Sequence, residues 1–303
     1  MVVYQSDDLV IKVPNEFSFI ENIRYMQRSS NECMFEVRED KIIKAIPVLD
    51  EFLLVEVSGN TDGNLVLRFL GNTHPTSQKV RDEVINYVRE WFDLDNDLKP
   101  FYEMAKNDLL LHKAIDEFYG LRNVGIPDLF EALTWGILGQ QINLTYAYTL
   151  KKRLVEKFGK SLEWEGRQYW IFPKAKDIAN LTVEDLASLK MTIKKCEYLI
   201  GVAQLIVEGR ISKSLIMGNG NFKEAEKMLI KIRGIGPWTA NYVLMRCLRF
   251  PNAFPIADVG LHNAIKHLTG ADEKPTKEEI LKIAAPWKGW ESYATFYLWR
   301  FLY

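Results

Sequence analysis

Cysteine is scarce in this chain, with three in 303 residues. Cys33, Cys196 and Cys247 lie far apart and are odd in number, so they form neither a disulfide framework nor a zinc pattern. Three thiols also fall short of the four that hold an iron–sulfur cluster. A reducing compartment is the expectation. Histidine is equally sparse: His74, His112, His262 and His267 are scattered, and the last two stand five apart, off the i, i+4 spacing of a helical metal pair. No metal ligands are expected. No apolar run is long enough to span a bilayer. The opening MVVYQSDDLV has no basic segment followed by an apolar one, so no secretory leader is expected. Internal repeats and low-complexity segments are missing too. The expectation that remains is a soluble cytoplasmic protein whose 48% hydrophobic content can supply two cored units.

Net charge is nearly absent as well, at −1, which taken alone speaks against a polyanionic partner. The balance hides an asymmetry. Residues 1–100 hold 11 Lys/Arg against 18 Asp/Glu, a net −7, whereas residues 101–303 hold 28 against 22, a net +6. The positive half can face nucleic acid if its charges gather on one side.

Residues 1–98 alternate in the manner of strands, over Leu9–Val13, Cys33–Arg38, Ile42–Val48, Phe52–Val57 and Leu65–Leu70. Helices are predicted at Glu16–Gln27 and Ser77–Phe92, the second with Val80, Val84, Ile85, Val88 and Trp91 at helical spacing. This reads as an antiparallel sheet backed by helices. The polar stretch DLDNDLKP, residues 93–100, places a boundary between units 1–98 and 99–303. Beyond it nearly everything reads as helix, so the fold class is α+β, a sheet unit followed by an all-helical one. Asp128 and Glu131 form a capping-box pattern ahead of the apolar stripe Phe130, Leu133, Ile137 and Leu138. That helix ends at Gly139-Gln140-Gln141-Ile142-Asn143, and another runs from Leu144 to Phe158, stopped by Gly159. Thr182 with Asp185 makes a further cap, and Cys196, Leu199, Ile200, Ala203 and Val207 make the stripe of a helix ended by Gly209.

The most informative stretch is KIRGIGPWTANYVLMRCLRFPNAFPIADVGLHNAIKHL, residues 231–268. Gly234 and Gly236 flank Ile235 in a tight turn where either glycine can take φ > 0. Pro237 suits the first position of a new helix, predicted to run to Arg249. Free amides at that helix start make a phosphate seat. Trp238 and Tyr242 stand one turn apart on the same face. Phe250-Pro251 ends the helix, and Asp258 stands where another begins, Val259 to Leu268, with Gly270 beyond.

The turn IRGIGPWTANY, followed twenty positions after Trp238 by Asp258, resembles the helix-hairpin-helix DNA glycosylases, most closely the alkylpurine branch, DNA-3-methyladenine glycosylase II. The blocks Phe130-Glu131-Ala132-Leu133 through ILGQQI, Phe172 to Gly209, and WKGWESYATFYLWRFLY are similar to that family as well, so the likeness covers residues 101–303 well and 1–98 loosely. The resemblance implies double-stranded damaged DNA as the partner of a monomer, with Asp258 as the catalytic residue. It implies that Trp238, Tyr242 and Trp299 line the base pocket, and that Gly234, Ile235 and Gly236 bind the DNA backbone. Gln140 and Gln141 are implied at the minor groove, where one side chain fills the space left by an extruded nucleotide. No cofactor is implied, although similar hairpins hold a monovalent cation through backbone carbonyls. Two positions depart from the pattern: Gln141 stands where some relatives carry a leucine wedge, and Val259 stands where an aromatic often follows the aspartate.

The chemistry fits these residue types. Cleaving a C1′–N bond puts positive charge on the sugar, and the base must first be swung out of the stack. A carboxylate at a helix N-terminus, where the dipole favours negative charge, can stabilise that cation or orient water. Alkylated purines such as 3-methyladenine and 7-methylguanine are already cationic and leave as neutral bases, so no general acid is needed. Indole and phenol faces attract a cation. Oxidised-guanine enzymes of this resemblance that also cut the strand carry a lysine two positions after the second glycine, where it forms a Schiff base. Here that position is Trp238. The readings left open are a monofunctional alkylpurine glycosylase, a bifunctional glycosylase/lyase, and a DNA-damage-binding module without catalysis. Asp258 also has a purely structural reading as a helix cap, and the three aromatics as core.

Overall fold

In a computed structural model of the chain, residues 8–218 and 220–302 are described. The leader expectation therefore falls largely outside the described residues. The sheet is built from β1 (Leu9–Ile11), β2 (Glu36–Arg38), β3 (Lys41–Val48), β4 (Glu51–Gly59) and β5 (Leu65–Phe69), all antiparallel in the order β1-β5-β4-β3-β2. Helix α1 (Phe19–Met26) starts later than its apolar pattern suggests. Ser18 accepts from the Glu21 amide at 3.3 Å, and its own amide is held by the Gly120 carbonyl at 2.9 Å, so the cap is set from outside the segment. α2 (Gln78–Trp91) starts at its Ser77 cap and buries Val80, Val84, Val88 and Trp91.

The interior strand β3, which includes IIKAIPV, is apolar on both faces, so both need cover. Ile42, Ile46 and Val48 belong to the large core shared with α2, while Ile43 and Ala45 face the other way with Leu54. What covers that second face was not expected from sequence. A hairpin of β6 (Lys160–Trp164) and β7 (Arg167–Ile171), inside the stretch read as helical, lays Tyr169 and Ile171 on Ile43, Ala45, Leu54 and Leu70. Glu165 and Gly166 both have φ > 0 (49° and 70°), the two-residue turn that suits a right-handed hairpin. KSLEWEGRQYWI alternates as a strand pair should, yet lies among helices long enough to mask it.

The helices that follow are α3 (Lys99–Ala105), α4 (Leu111–Glu117), α5 (Leu129–Leu138) and α6 (Leu144–Phe158), then, beyond the hairpin, α7 (Ala175–Ile178), α8 (Val183–Ala187) and α9 (Ile193–Val207). The chain closes through α10 (Lys213–Met217), α11 (Phe222–Ile230), α12 (Pro237–Arg246), α13 (Val259–Thr269), α14 (Lys277–Ile283) and α15 (Glu291–Trp299). Every residue of α5 is buried, which explains why its stripe is wider than one face. The Asp128 cap accepts from the Glu131 amide at 2.7 Å, but the capping box is only half made. Glu131 turns instead to the buried Lys151 at 3.0 Å, a charge that needs a partner more than the cap does. The Thr182/Asp185 box forms in full.

One core runs without a break from Ile11 in the sheet to Trp299 in the last helix. Arg122, fully buried, donates to the carbonyls of Asp93 at 3.1 Å and Asn96 at 2.5 Å, so the polar stretch after α2 is held rigidly rather than left as a free linker. No helix among the described residues is long and apolar enough to cross a membrane.

Candidate active site

The turn between α11 and α12 spans residues 231–236. Gly234 sits at φ +90°, and a methyl there would lie 2.3 Å from the Tyr198 ring of α9, so only glycine fits. Gly236 differs from expectation: its φ is −88° with ψ 177°, an extended helix cap that any residue could adopt, with open space around it. Ile235 is a core residue, and its amide is spent on the Ile232 carbonyl at 3.0 Å. The amides left to face a phosphate are therefore those of the glycines and of the first turn of α12, since Pro237 has none.

Gln140 is tied into the hairpin. Its amide nitrogen donates to the Gly234 carbonyl at 2.8 Å and to Thr239 Oγ1 at 3.2 Å. This fastens the loop after α5 to the turn. The Gly234 carbonyl is thereby engaged, as the Ile232 carbonyl is by the Ile235 amide. No cluster of His, Cys, Asp and Glu suited to a metal occurs among the described residues. Lys195 holds the end of α5, donating to the Leu138 carbonyl at 2.7 Å where the helix dipole favours a cation. Just past these two ties Gln141 is exposed and takes φ +57°, a left-handed backbone that costs a non-glycine residue about 1–2 kcal/mol.

Helix α12 stops at Arg246, earlier than the predicted Arg249. Arg249 leaves the helix at φ +61° because its guanidinium donates to the carbonyls of Asn123, Glu90 and, at 3.3 Å, Trp91. The chain then crosses through Pro251 and Pro255 to Asp258, which caps α13. Asp258 Oδ1 accepts from the Leu261 amide at 2.8 Å and from the Trp299 indole at 2.8 Å, and Oδ2 accepts from the Trp238 indole at 2.9 Å. Three donors from three helices hold one carboxylate. Gly260 makes this possible, since a methyl there would lie 2.9 Å from Asp258 Oδ1 and 3.2 Å from Trp299 Nε1.

These groups open onto a cleft of about 860 Å³ whose lining includes Gln141, Trp238, Tyr242, Asp258 and Trp299. Tyr242 is buried at its floor, stacked on Trp238 with ring centres 5.5 Å apart and leaning on Trp299 at 6.3 Å. Burial raises its phenol pKa, against the pull of Arg246 and Arg28. On the far side of Trp238 and Gln140 a second concavity of about 840 Å³ follows the hairpin, with Lys231, Arg233 and Lys277 at its edge. The hairpin concavity and the carboxylate cleft thus share one wall. Val259 is 63% exposed at the cleft mouth, leaving open the room an aromatic would fill.

Sequence reasoning missed several members of this cleft. Arg246 lies one and two turns beyond Tyr242 and Trp238 on the same helix, so spacing alone could have found it. Tyr25, Arg28 and Trp135 also line the cleft, and nothing local to α1 announces that it reaches a site built from residues 139–299.

Residues 134–289 match the family described as HhH-GPD superfamily base excision DNA repair protein. Residues 10–133 match the 8-oxoguanine DNA glycosylase, N-terminal domain. Over 98% of each chain, the sequence is 57% identical to a DNA-3-methyladenine glycosylase of Bacillus subtilis. It is 31% identical to DNA-3-methyladenine glycosylase 2 of Escherichia coli over 59% of this chain and 60% of that one. A 3-methyladenine DNA-glycosylase from Archaeoglobus fulgidus superposes with a TM-score of 0.81 at 22% identity, covering 97% of this chain and 98% of that chain. A Clostridium acetobutylicum 8-oxoguanine glycosylase/lyase in complex with double-stranded DNA gives 0.75 at 21% identity, covering 98% and 95%. At these identities the two solved structures speak for the fold alone.

Proposed function

The chain belongs to the HhH-GPD superfamily of base excision DNA repair proteins, and from that premise we propose that it is a monofunctional DNA glycosylase that removes alkylated purines by hydrolysis. The unit 1–98 is accessory and the unit 99–303 carries the chemistry. Asp258 is the catalytic residue. The observation that carries this reading is a carboxylate held by three N–H donors at the wall of an aromatic cleft, beside a hairpin that can hold a phosphate.

On this reading the protein binds double-stranded damaged DNA as a monomer. Gly234 and Gly236 hold the strand beside the lesion, with Ile235 anchoring the turn in the core. The damaged nucleotide swings into the cleft at a cost of a few kcal/mol. Gln141 fills the vacated space: its strained backbone, just past the ties at Leu138 and Gln140, supports a side chain held outward rather than packed. Trp238, Tyr242 and Trp299 surround the base. Trp238 and Trp299 do a second task, because their N–H groups fix Asp258. As the C1′–N bond breaks, the fixed carboxylate meets the developing positive charge without having to reorganise. Water then adds to C1′.

Hydrolysis without strand cleavage is supported by the cleft lining, which holds no lysine among the described residues. Lys151 lies behind the cleft, committed to Glu131 at 3.0 Å and Glu32 at 3.4 Å, and has no free amine to offer a sugar. The match of residues 10–133 to an 8-oxoguanine glycosylase domain keeps a second reading worth testing. Incubation with methylated duplex DNA should release 3-methyladenine and 7-methylguanine, leave the strand intact and give no adduct with borohydride. A trapped adduct, or release of 8-oxoguanine alone, would overturn the proposal.

A further inference from the structure

Behind the cleft lies a small, partly open cavity of about 40 Å³ whose lining repeats Tyr25, Arg28, Trp135, Tyr242 and Arg246. The charged groups around it are Arg28, Lys151 and Arg246 against Glu32 and Glu131, three cations to two carboxylates, beside Lys44, whose pKa burial lowers. The carboxylates are taken by Lys151, and the Lys44 ammonium donates to the Met34 carbonyl at 3.0 Å. The inner end of the base pocket therefore carries uncancelled positive charge. Asp258 lies at the other side.

All three nitrogens of Arg246 are engaged: Nε and Nη2 donate to the Val124 carbonyl at 2.9 and 2.5 Å, and Nη1 donates to the Tyr242 hydroxyl at 3.1 Å. Arg28 is not. Its guanidinium lies over the Tyr25 ring at 4.1 Å and near Tyr148 at 5.7 Å, and only Nη1 is engaged, with the Tyr25 carbonyl at 3.1 Å. Tyr25 is itself held from behind by Phe296 at 4.5 Å and by Arg246 at 5.7 Å. The guanidinium is thus preorganised, partly exposed, and has Nε and Nη2 left to give inside the cleft.

We propose that Arg28, from the N-terminal unit, contacts the extruded base and sets which leaving groups the pocket accepts, by donating to an acceptor edge of the purine such as an exocyclic oxygen. The inference rests on the glycosylase reading above. When the C1′–N9 bond breaks, its electron pair goes to the purine and the sugar is left cationic; water then forms the C1′–O bond and loses its proton to Asp258 or to solvent. A cationic 7-methylguanine becomes neutral in that step, and a guanidinium beside it disfavours the charge it is losing. A neutral 6-oxopurine leaves as an anion, later protonated by water, and depends on the guanidinium far more. The pocket is polarised so that positive charge moves from base to sugar. Neutral 6-oxopurines are therefore the bases whose release depends most on Arg28.

The test compares single-turnover base release from duplexes carrying 7-methylguanine or deoxyinosine, for wild type, Arg28→Gln and Arg28→Lys. Wild type should release both bases. Arg28→Gln should slow both, with hypoxanthine losing roughly tenfold more than 7-methylguanine, and Arg28→Lys should recover part of the difference. Affinity for an abasic duplex, which has no base to contact, separates this role from phosphate binding and also reports folding. Equal slowing of the two lesions, no slowing of either, or a wild type that releases 7-methylguanine but no hypoxanthine would overturn the role of Arg28. A wild type that releases neither base would overturn the glycosylase reading itself.

Discussion

Replacing Asp258 with asparagine isolates the charge from the shape. Asparagine is as good a helix cap as aspartate, so the bond to the Leu261 amide survives and α13 keeps its start. The side-chain oxygen can also keep the Trp299 indole at Oδ1. The other position becomes an NH2 group facing the Trp238 N–H, donor against donor, and that 2.9 Å bond is lost. A carboxylate about 4 Å from a sugar cation is worth about 4 kcal/mol at an effective dielectric near 20. At about 1.4 kcal/mol per decade this amounts to a rate loss of about a thousandfold, before any cost from a displaced Trp238. Single-turnover release of methylated bases should fall by that order in Asp258→Asn, while abasic-duplex affinity stays near wild type and the unfolding temperature moves by no more than about 2 °C. Asp258→Ala adds the lost cap, about 1 kcal/mol. An Asp258→Asn protein within tenfold of wild type, properly folded and bound to DNA, would refute the electrostatic argument.

Gly260→Ala places a methyl 2.9 Å from Asp258 Oδ1 and 3.2 Å from Trp299 Nε1, so base release should drop by roughly tenfold while thermal stability holds or rises, alanine being the better helix former. Gln141→Gly relieves the left-handed strain and should raise stability by about 1 kcal/mol in chemical denaturation, yet slow base release because the wedge is gone. Lys151→Met leaves Glu32 and Glu131 buried without their cation and should cost about 3–5 kcal/mol in the same assay. Burial would raise the Glu32 pKa, but Lys151, the Met34 amide, Arg28 and Lys44 outweigh it and hold the group below its ordinary value. A carboxyl depressed in the folded state stabilises fully at neutral pH, and that contribution is lost as pH falls below about 4.3 and through the folded value. Acid unfolding followed by circular dichroism should show this loss in wild type and lack it in Lys151→Met.

Local rules carried the reading of this protein a long way. The Gly-Ile-Gly-Pro turn, the Ser77, Asp128, Asn143 and Thr182 caps and the Gly159 stop are governed by backbone geometry and by hydrogen bonds within four residues, so they are written where they act. Strand β5 announces itself by period two, while β3 and β4 do so as short apolar runs between turn residues. The misreadings arise where a distant partner overrides the local pattern. Arg249 bends α12 short to reach carbonyls more than a hundred residues away, Glu131 deserts its cap for Lys151, and the 160–171 hairpin exists because β3 has a second apolar face to cover.

The candidate site divides along the same line. Asp258, Trp238, Trp299 and the glycine turn were named from the sequence because their blocks resemble the helix-hairpin-helix glycosylases, and each residue type suits the task that the resemblance implies. That two indoles would spend their N–H groups on one carboxylate, that Gln140 would fasten the turn while Gln141 is left strained, and that Arg28 would reach the pocket from the opposite end of the chain were decided only by folding. Hydrogen bonds and uncancelled charge depend on distances of a few ångströms between segments that sequence separates by as much as the 271 positions from Arg28 to Trp299; short-range patterning holds no record of such distances, and packing the single core is what sets them.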